Sequence, residues 1–137
     1  MRADVTDTAT TRALPHPGPA EIRLEAVLHA LSDPIRLSIV RDLAGTPDEL
    51  ACSYFDLPVT KSTTTHHFRV LREAGVVRQT YRGTAKMNGL RGEELEGLFP
   101  GLLDSVLTAA AAEEARRAGS GPPADGAAAG PDRAEAV

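Results

Sequence analysis

Tryptophan is absent from the 137 residues, and three Phe and two Tyr are the whole aromatic content. A core made here is therefore built mainly from Leu, Val, Ile and Ala, an alphabet that suits helices. The one cysteine, Cys52, excludes an intrachain disulfide. No stretch approaches the roughly 18 consecutive apolar residues of a membrane-spanning helix. The first twenty residues also lack the apolar run of a secretory signal. The expectation is a soluble cytoplasmic protein of one domain, with no membrane partner.

Carboxylates are scarce in one region only. Residues 60–92 hold Lys61, Arg69, Arg72, Arg78, Arg82, Lys86 and Arg91 against the single Glu73, a surplus of six positive charges. The whole chain is at −4, so the remainder carries −10. A basic block on an acidic chain is the footprint of a polyanion-binding surface, although a solvated, salt-bridged face has the same composition.

Both ends lack hydrophobic periodicity. Residues 1–18 mix Thr, Pro, Asp and Gly, and residues 119–137 are rich in Gly, Pro and Ala. Neither has the apolar surface to offset ordering entropy, so both are expected to be disordered tails flanking a domain over 19–118. Within it, Leu24, Val27, Leu28 and Leu31 follow helical spacing, and Ile22 begins a second apolar edge suited to a partner chain. "SDPIRLSIVRDLAG" opens with Ser32 or Asp33 as the cap and Pro34 at the first helical position and closes at Gly45. "TPDELACSYFDLP" repeats the start signal but meets Pro58, which predicts a short helix. Thr60 then caps a helix running to Ala74 and Gly75. Two helices joined by "DLPV" make a helix-turn-helix candidate.

At about 100° per residue, Thr64, His67, Phe68 and Leu71 of the second helix face inward. Ser62, Thr65, His66 and Arg69 face outward, with Thr63 on the shoulder. Short hydroxyls let a helix backbone approach base edges, and Arg69 can donate to guanine or phosphate. "VVRQTY" and "AKMNGL", joined across Arg82, Gly83 and Thr84, predict a hairpin. Arg82 and Lys86 at its tip suit a minor groove, and Arg72 and Arg78 suit phosphates. After it, Leu95, Leu98, Phe99, Leu102, Leu103, Val106 and Leu107 keep helical spacing around a break at Pro100. That stripe exceeds what a small domain needs and points to a partner helix across a two-fold axis.

"LSDPIRLSIVRDLA", "KSTTTHHFRVLREAGVVRQ" and "YRGTAKMNGL" together resemble the ArsR-type winged helix-turn-helix regulators over about residues 22–107. The resemblance implies a mainly α fold with a small β-hairpin, dimerising through its first and last helices. It implies a homodimeric repressor that reads an inverted repeat in double-stranded DNA with helix 60–74 and wing 76–90. The contacts expected on DNA are Lys61, Ser62, Thr63, Thr65, His66, Arg69, Arg72, Arg78, Arg82 and Lys86. Those expected at the dimer interface are Ile22, Leu28, Leu98, Leu102, Leu103 and Val106.

Metal sensing does not carry over. Family members that sense soft metals use a Cys-x-Cys pair where this chain has Ala51, Cys52 and Ser53, and its last helix has no His. His66 and His67 are adjacent and cannot chelate one ion together; His67 is expected to be partly buried and locally hydrogen-bonded. No metal or cofactor is expected. The effector stays open between a small organic ligand, a thiol-reactive compound at Cys52 and none at all. An enzyme built on Cys52 and His67 lacks an orienting group. The competing reading is a winged-helix protein-interaction module without specific DNA binding.

Overall fold

The computed structural model describes residues 11–119, which divide after Pro100 into two compact units. The first carries β1 (Thr11–Ala13), a 3₁₀ turn (Pro19–Glu21), α1 (Leu24–Leu31), α2 (Pro34–Ala44), β2 (Leu50–Ala51) and a second 3₁₀ turn (Cys52–Tyr54). It continues with α3 (Lys61–Glu73), β3 (Val77–Arg82), β4 (Ala85–Leu90) and α4 (Gly92–Leu98). The second unit holds α5 (Leu102–Gly119).

Local chemistry sets the helix ends. The Asp33 carboxylate accepts from the backbone N–H groups of Ile35 at 2.9 Å and Arg36 at 3.0 Å, capping α2 ahead of Pro34. Thr60 Oγ1 accepts from Thr63 N–H at 3.2 Å and caps α3. At the other end of α3, Val76 N–H reaches Leu71 C=O and Gly75 N–H reaches Arg72 C=O, both at 3.0 Å, which closes the helix in a Schellman turn. Gly75 sits at φ +88°, and a Cβ added there would lie 2.5 Å from Ile22 Cγ1. Only glycine fits that conformation and that space together.

The core is aliphatic, as the composition requires. Val27, Ala30, Ile39, Val40, Leu71, Val76 and Val77 are buried, with Phe68 the one large ring among them. Phe68 meets Phe55 edge-on, with ring centroids 5.2 Å apart. The four strands are antiparallel in the order β1-β3-β4-β2. β3 and β4 form the expected hairpin, in register from Val77↔Leu90 to Arg82↔Ala85, with Gly83 at φ +65° in the two-residue turn. The succession of α2, β2, α3 and the β3–β4 hairpin is a mainly α winged helix-turn-helix fold.

Three expectations need correction. The tail expected over 1–18 is structured from residue 11 onward: β1 pairs with β3 through Thr11↔Arg82, Arg12↔Tyr81 and Ala13↔Thr80. Leu14 N–H donates to Gln79 C=O, and Arg91 donates to Pro17 C=O at 2.9 Å. The edge of β3 offers backbone partners that offset the ordering cost, which composition alone does not reveal. Residues 1–10 and 120–137 lie outside the described residues. The short helix expected at "TPDELACSYFDLP" is instead β2 followed by one 3₁₀ turn. Between Pro47 and Pro58 too few residues remain to repay helix nucleation, and pairing of Leu50 and Ala51 with Asn88 and Met87 takes the backbone instead. Ile22, expected at the dimer interface, is buried in its own chain against Gly75.

α5 follows the break at Pro100 and Gly101, where the glycine has φ +81°. Asp104 in its first turn and Arg116 and Arg117 in its last complement the helix dipole. Leu102, Leu103 and Val106 share one face of it; Leu102 and Val106 are half-buried, while Leu103, expected at the dimer interface, is buried in its own chain as Ile22 is. Among the described residues no single helix is long and apolar enough to cross a membrane.

Candidate nucleic-acid interface

α3 divides as its spacing predicts. His67, Phe68 and Leu71 are buried, and Thr64 is half-buried. Lys61, Ser62, Thr65, His66 and Arg69 are exposed, while Thr63 is half-buried on the shoulder. The Thr63 hydroxyl lies 3.0 Å from Thr60 Oγ1, and Ser62 Oγ lies 3.3 Å from the same oxygen, so the hydroxyl cluster is ordered by the cap. No carboxylate interrupts this open face before Glu73. Among the described residues no carboxylate forms an ion pair with Lys61 or Arg69.

The inner face of α3 is anchored by a polar triad. Arg36 is buried, and its Nε donates to Ala30 C=O at 2.8 Å while NH2 donates to His29 C=O at 3.2 Å. Its NH1 lies 3.2 Å from His67 Nδ1. A guanidinium only donates, so Nδ1 accepts and the ring proton sits on Nε2, 3.9 Å from Asp33 Oδ2. Burial holds His67 below the ordinary imidazole range, and nearby Arg36 pushes the same way against the pull of Asp33. The expected local partner of His67 is thus the arginine that also ties the end of α1 to α2.

The hairpin cations divide by partner. Arg78 meets Glu94 at 3.1 Å and Arg82 meets Glu49 at 2.7 Å. Arg91 is buried and makes a two-pronged contact with Glu94, Nε to Oε1 at 2.8 Å and NH2 to Oε2 at 2.9 Å. Those bonds from Arg91, outweighing burial, draw the Glu94 carboxyl down to about 2. Arg72 is half-buried, and its NH1 donates to Gln79 Oε1 at 2.6 Å. Gln79 passes a hydrogen bond to Asn88 Oδ1 at 2.8 Å, and Asn88 Nδ2 reaches Leu50 C=O at 3.1 Å and Cys52 Sγ at 3.3 Å. Arg72 therefore fastens α3 to the sheet, a different task from the phosphate contact expected of it. Lys86, half-buried, lies 5.8 Å from the centre of the Tyr81 ring, with no ion-pair partner among the described residues.

The dimer candidates fall in different settings. Leu28 is 45% exposed and its helical neighbour Leu24 is 44% exposed. Leu98 is also exposed, on α4. Cys52 and His67 are each engaged by other partners, Asn88 for the thiol and Arg36 for the imidazole. Among the described residues no group of three or more His, Cys, Asp or Glu side chains converges to hold a metal ion.

Two residues of the basic surface escape a reading of the sequence. Arg12 falls in a segment without periodicity, yet β1 places its guanidinium 4.9 Å from the Tyr81 ring centre. Tyr81 is the second; its place beside Arg82 on one arm of the hairpin, opposite Lys86 on the other, is the available signal.

No family model matches the chain. It is 33% identical over 82 residues to an uncharacterized HTH-type transcriptional regulator, YceK, of Bacillus subtilis (strain 168), an overlap of 58% of this chain and 82% of the relative. A solved crystal structure described as an ArsR family transcriptional regulator aligns with 77% of this chain and 98% of its own, at 19% identity and a TM-score of 0.46.

Proposed function

The chain belongs to the helix-turn-helix transcriptional regulators, and from that premise we propose that it is a homodimeric, ArsR-type repressor reading an inverted repeat in duplex DNA. One observation carries the proposal: an exposed α3 face of Ser62, Thr65, His66 and Arg69, free of carboxylate, beside a hairpin that bears cations. In the major groove the small hydroxyls allow close approach, and Arg69 and His66 supply donors to base edges. Lys61 at the start of α3 meets phosphate, assisted by the positive end of the helix dipole. The Thr63 hydroxyl holds the first turn in shape.

On the wing, Lys86 is available to phosphate directly. Arg78 and Arg82, themselves exposed, leave the half-buried Glu94 and Glu49 for phosphate, a swap that costs little because pairs whose cation lies at the surface contribute about 0–1 kcal/mol. Two copies joined through Leu28 and Leu98, with Leu102 and Val106 of α5, would set two α3 helices about 34–36 Å apart, one turn of duplex. No metal or cofactor enters this reading.

The test is binding to the duplex upstream of the chain's own coding sequence, followed by fluorescence anisotropy at several salt concentrations. The expected outcome is saturable binding that weakens steeply with salt and that Arg69→Ala reduces about tenfold or more, in line with a bidentate base contact. Equal affinity for that duplex and for unrelated duplexes, unchanged by Arg69→Ala, overturns the reading and favours a protein-interaction module.

A further inference from the structure

We infer that β1 is a working part of the wing, and that Arg12, braced on Tyr81 beside Lys86, is a phosphate contact that flanks the recognition helix. The inference rests on the DNA-binding reading and adds a third strand and a new residue to it.

The register is the first observation. Arg12 pairs across β1–β3 with Tyr81, and Tyr81 pairs across β3–β4 with Lys86. Side chains directly opposite one another share a sheet face, so these three form one row, cation, aromatic, cation. Both distances, 4.9 Å for Arg12 and 5.8 Å for Lys86, fall within the range at which a ring face attracts a cation. The ring thus holds two positive charges close together that would otherwise splay apart.

Charge balance is the second. Arg78, Arg82 and Arg91 each have a carboxylate partner, whereas Arg12 and Lys86 have none among the described residues. The uncompensated charge of the wing is therefore concentrated in this row, one member of which comes from outside the hairpin. Placement is the third. Tyr81 lies two residues from Gln79 on β3, hence on the same face, and Gln79 is the residue that takes the hydrogen bond from Arg72 of α3. The row continues that helix-bearing face toward the hairpin tip, so a duplex lying along α3 runs past it.

The arm is fastened rather than loosely apposed. Leu14 N–H bonds Gln79 C=O at 3.2 Å, Gln79 N–H donates to His16 Nε2 at 2.9 Å, and Arg91 holds Pro17 C=O. An arginine pre-positioned in this way loses little conformational freedom on meeting a phosphate.

The test uses the full chain and the upstream duplex, with Arg12→Ala, Lys86→Ala and the double variant. Binding is measured across a salt series, and thermal melting checks that each variant is folded. Arg12→Ala is expected to lower affinity about three- to tenfold on every duplex alike and to reduce the salt slope by about 0.9, the release of counterions from one phosphate. The double variant should lose about twice that slope. Arg12→Lys should restore most of the slope, which a purely structural role for β1 would not require. Arg12→Ala with unchanged affinity and slope, while Arg69→Ala still weakens binding, overturns the inference and leaves the functional reading in place. A wild-type protein that binds no duplex overturns both.

Discussion

At the scale of single residues, the most constrained group is the Arg36–His67 pair. Arg36 spends all its inward-facing donors on Ala30 C=O, His29 C=O and His67 Nδ1. Replacing it with Met leaves two carbonyls at the end of α1 without this donor. The expected loss is about 2–4 kcal/mol in urea unfolding, mostly the cost of polar groups left unpaired. The pair also gives stability a pH dependence of definite sign. His67 binds a proton less readily folded than unfolded, because burial and Arg36 oppose its charge. The unfolded chain therefore takes up more protons as pH falls below about 6.5, and stability drops on acidification. His16, lowered mainly by burial, contributes in the same direction. Urea midpoints at pH 8 and pH 5.5 should show the loss in the wild type and a smaller loss in His67→Gln. Glu94 adds a separate acid limb: its carboxyl is held near 2, so its contribution is intact above the usual carboxylate range and disappears as pH falls toward that value.

At the scale of elements, the two ends of α3 carry different amounts of stability. Thr60→Ala removes the oxygen that caps Thr63 N–H and should cost about 1 kcal/mol, which Thr60→Ser restores. Gly75→Ala should cost more, about 2–4 kcal/mol, because a Cβ is strained at φ +88° and also meets Ile22 Cγ1 at 2.5 Å. Thermal melts of the two alanine variants rank these costs. The same elements mark how far sequence alone reaches. α2, α3 and the hairpin are legible because cap, periodicity and turn glycine agree at each. β2 is not, since the Thr-Pro-Asp start signal that usually opens a helix is overridden by pairing with β4, a contact 36 to 38 residues away in the chain. β1 is hidden for the same reason: three residues with no pattern of their own become a strand only because the edge of β3 is open to them. Ile22 was legible as apolar, but its destination beside Gly75 depends on the chain leaving the Pro19–Glu21 turn in extended form. On α3 the outward residues were legible by angle. The internal partners of Arg72 and Arg91 were not, because charge counting is blind to which cation finds one.

At the scale of the whole molecule, a chain of net charge −4 that binds DNA must rely on concentrated local charge, and the proposed dimer adds to this by joining two weak contacts into one. The ion pairs of Arg78, Arg82 and Arg91 reduce the basic surface well below the six charges counted along residues 60–92, so a single protomer presents few phosphate contacts. In the proposed dimer, pairing would compensate, because a second half-site is then bound at the high effective concentration set by the first. Leu24 and Leu28, one helical turn apart on α1 and each nearly half exposed, are the apolar surface in the first unit best placed to support it. Leu28→Asp sets a charge in that contact, where desolvation and repulsion between two copies oppose association, while an exposed site lets the protomer keep its fold. Sedimentation should give twice the chain mass for the wild type and the chain mass for Leu28→Asp, with an unchanged circular dichroism spectrum. Affinity for the two-half-site duplex should fall about a hundredfold, whereas affinity for an isolated half-site should stay as it was. Equal losses on both duplexes would place Leu28 in the folding of the protomer instead, and a wild type that sediments as one chain while bound to DNA would remove the two-fold arrangement altogether.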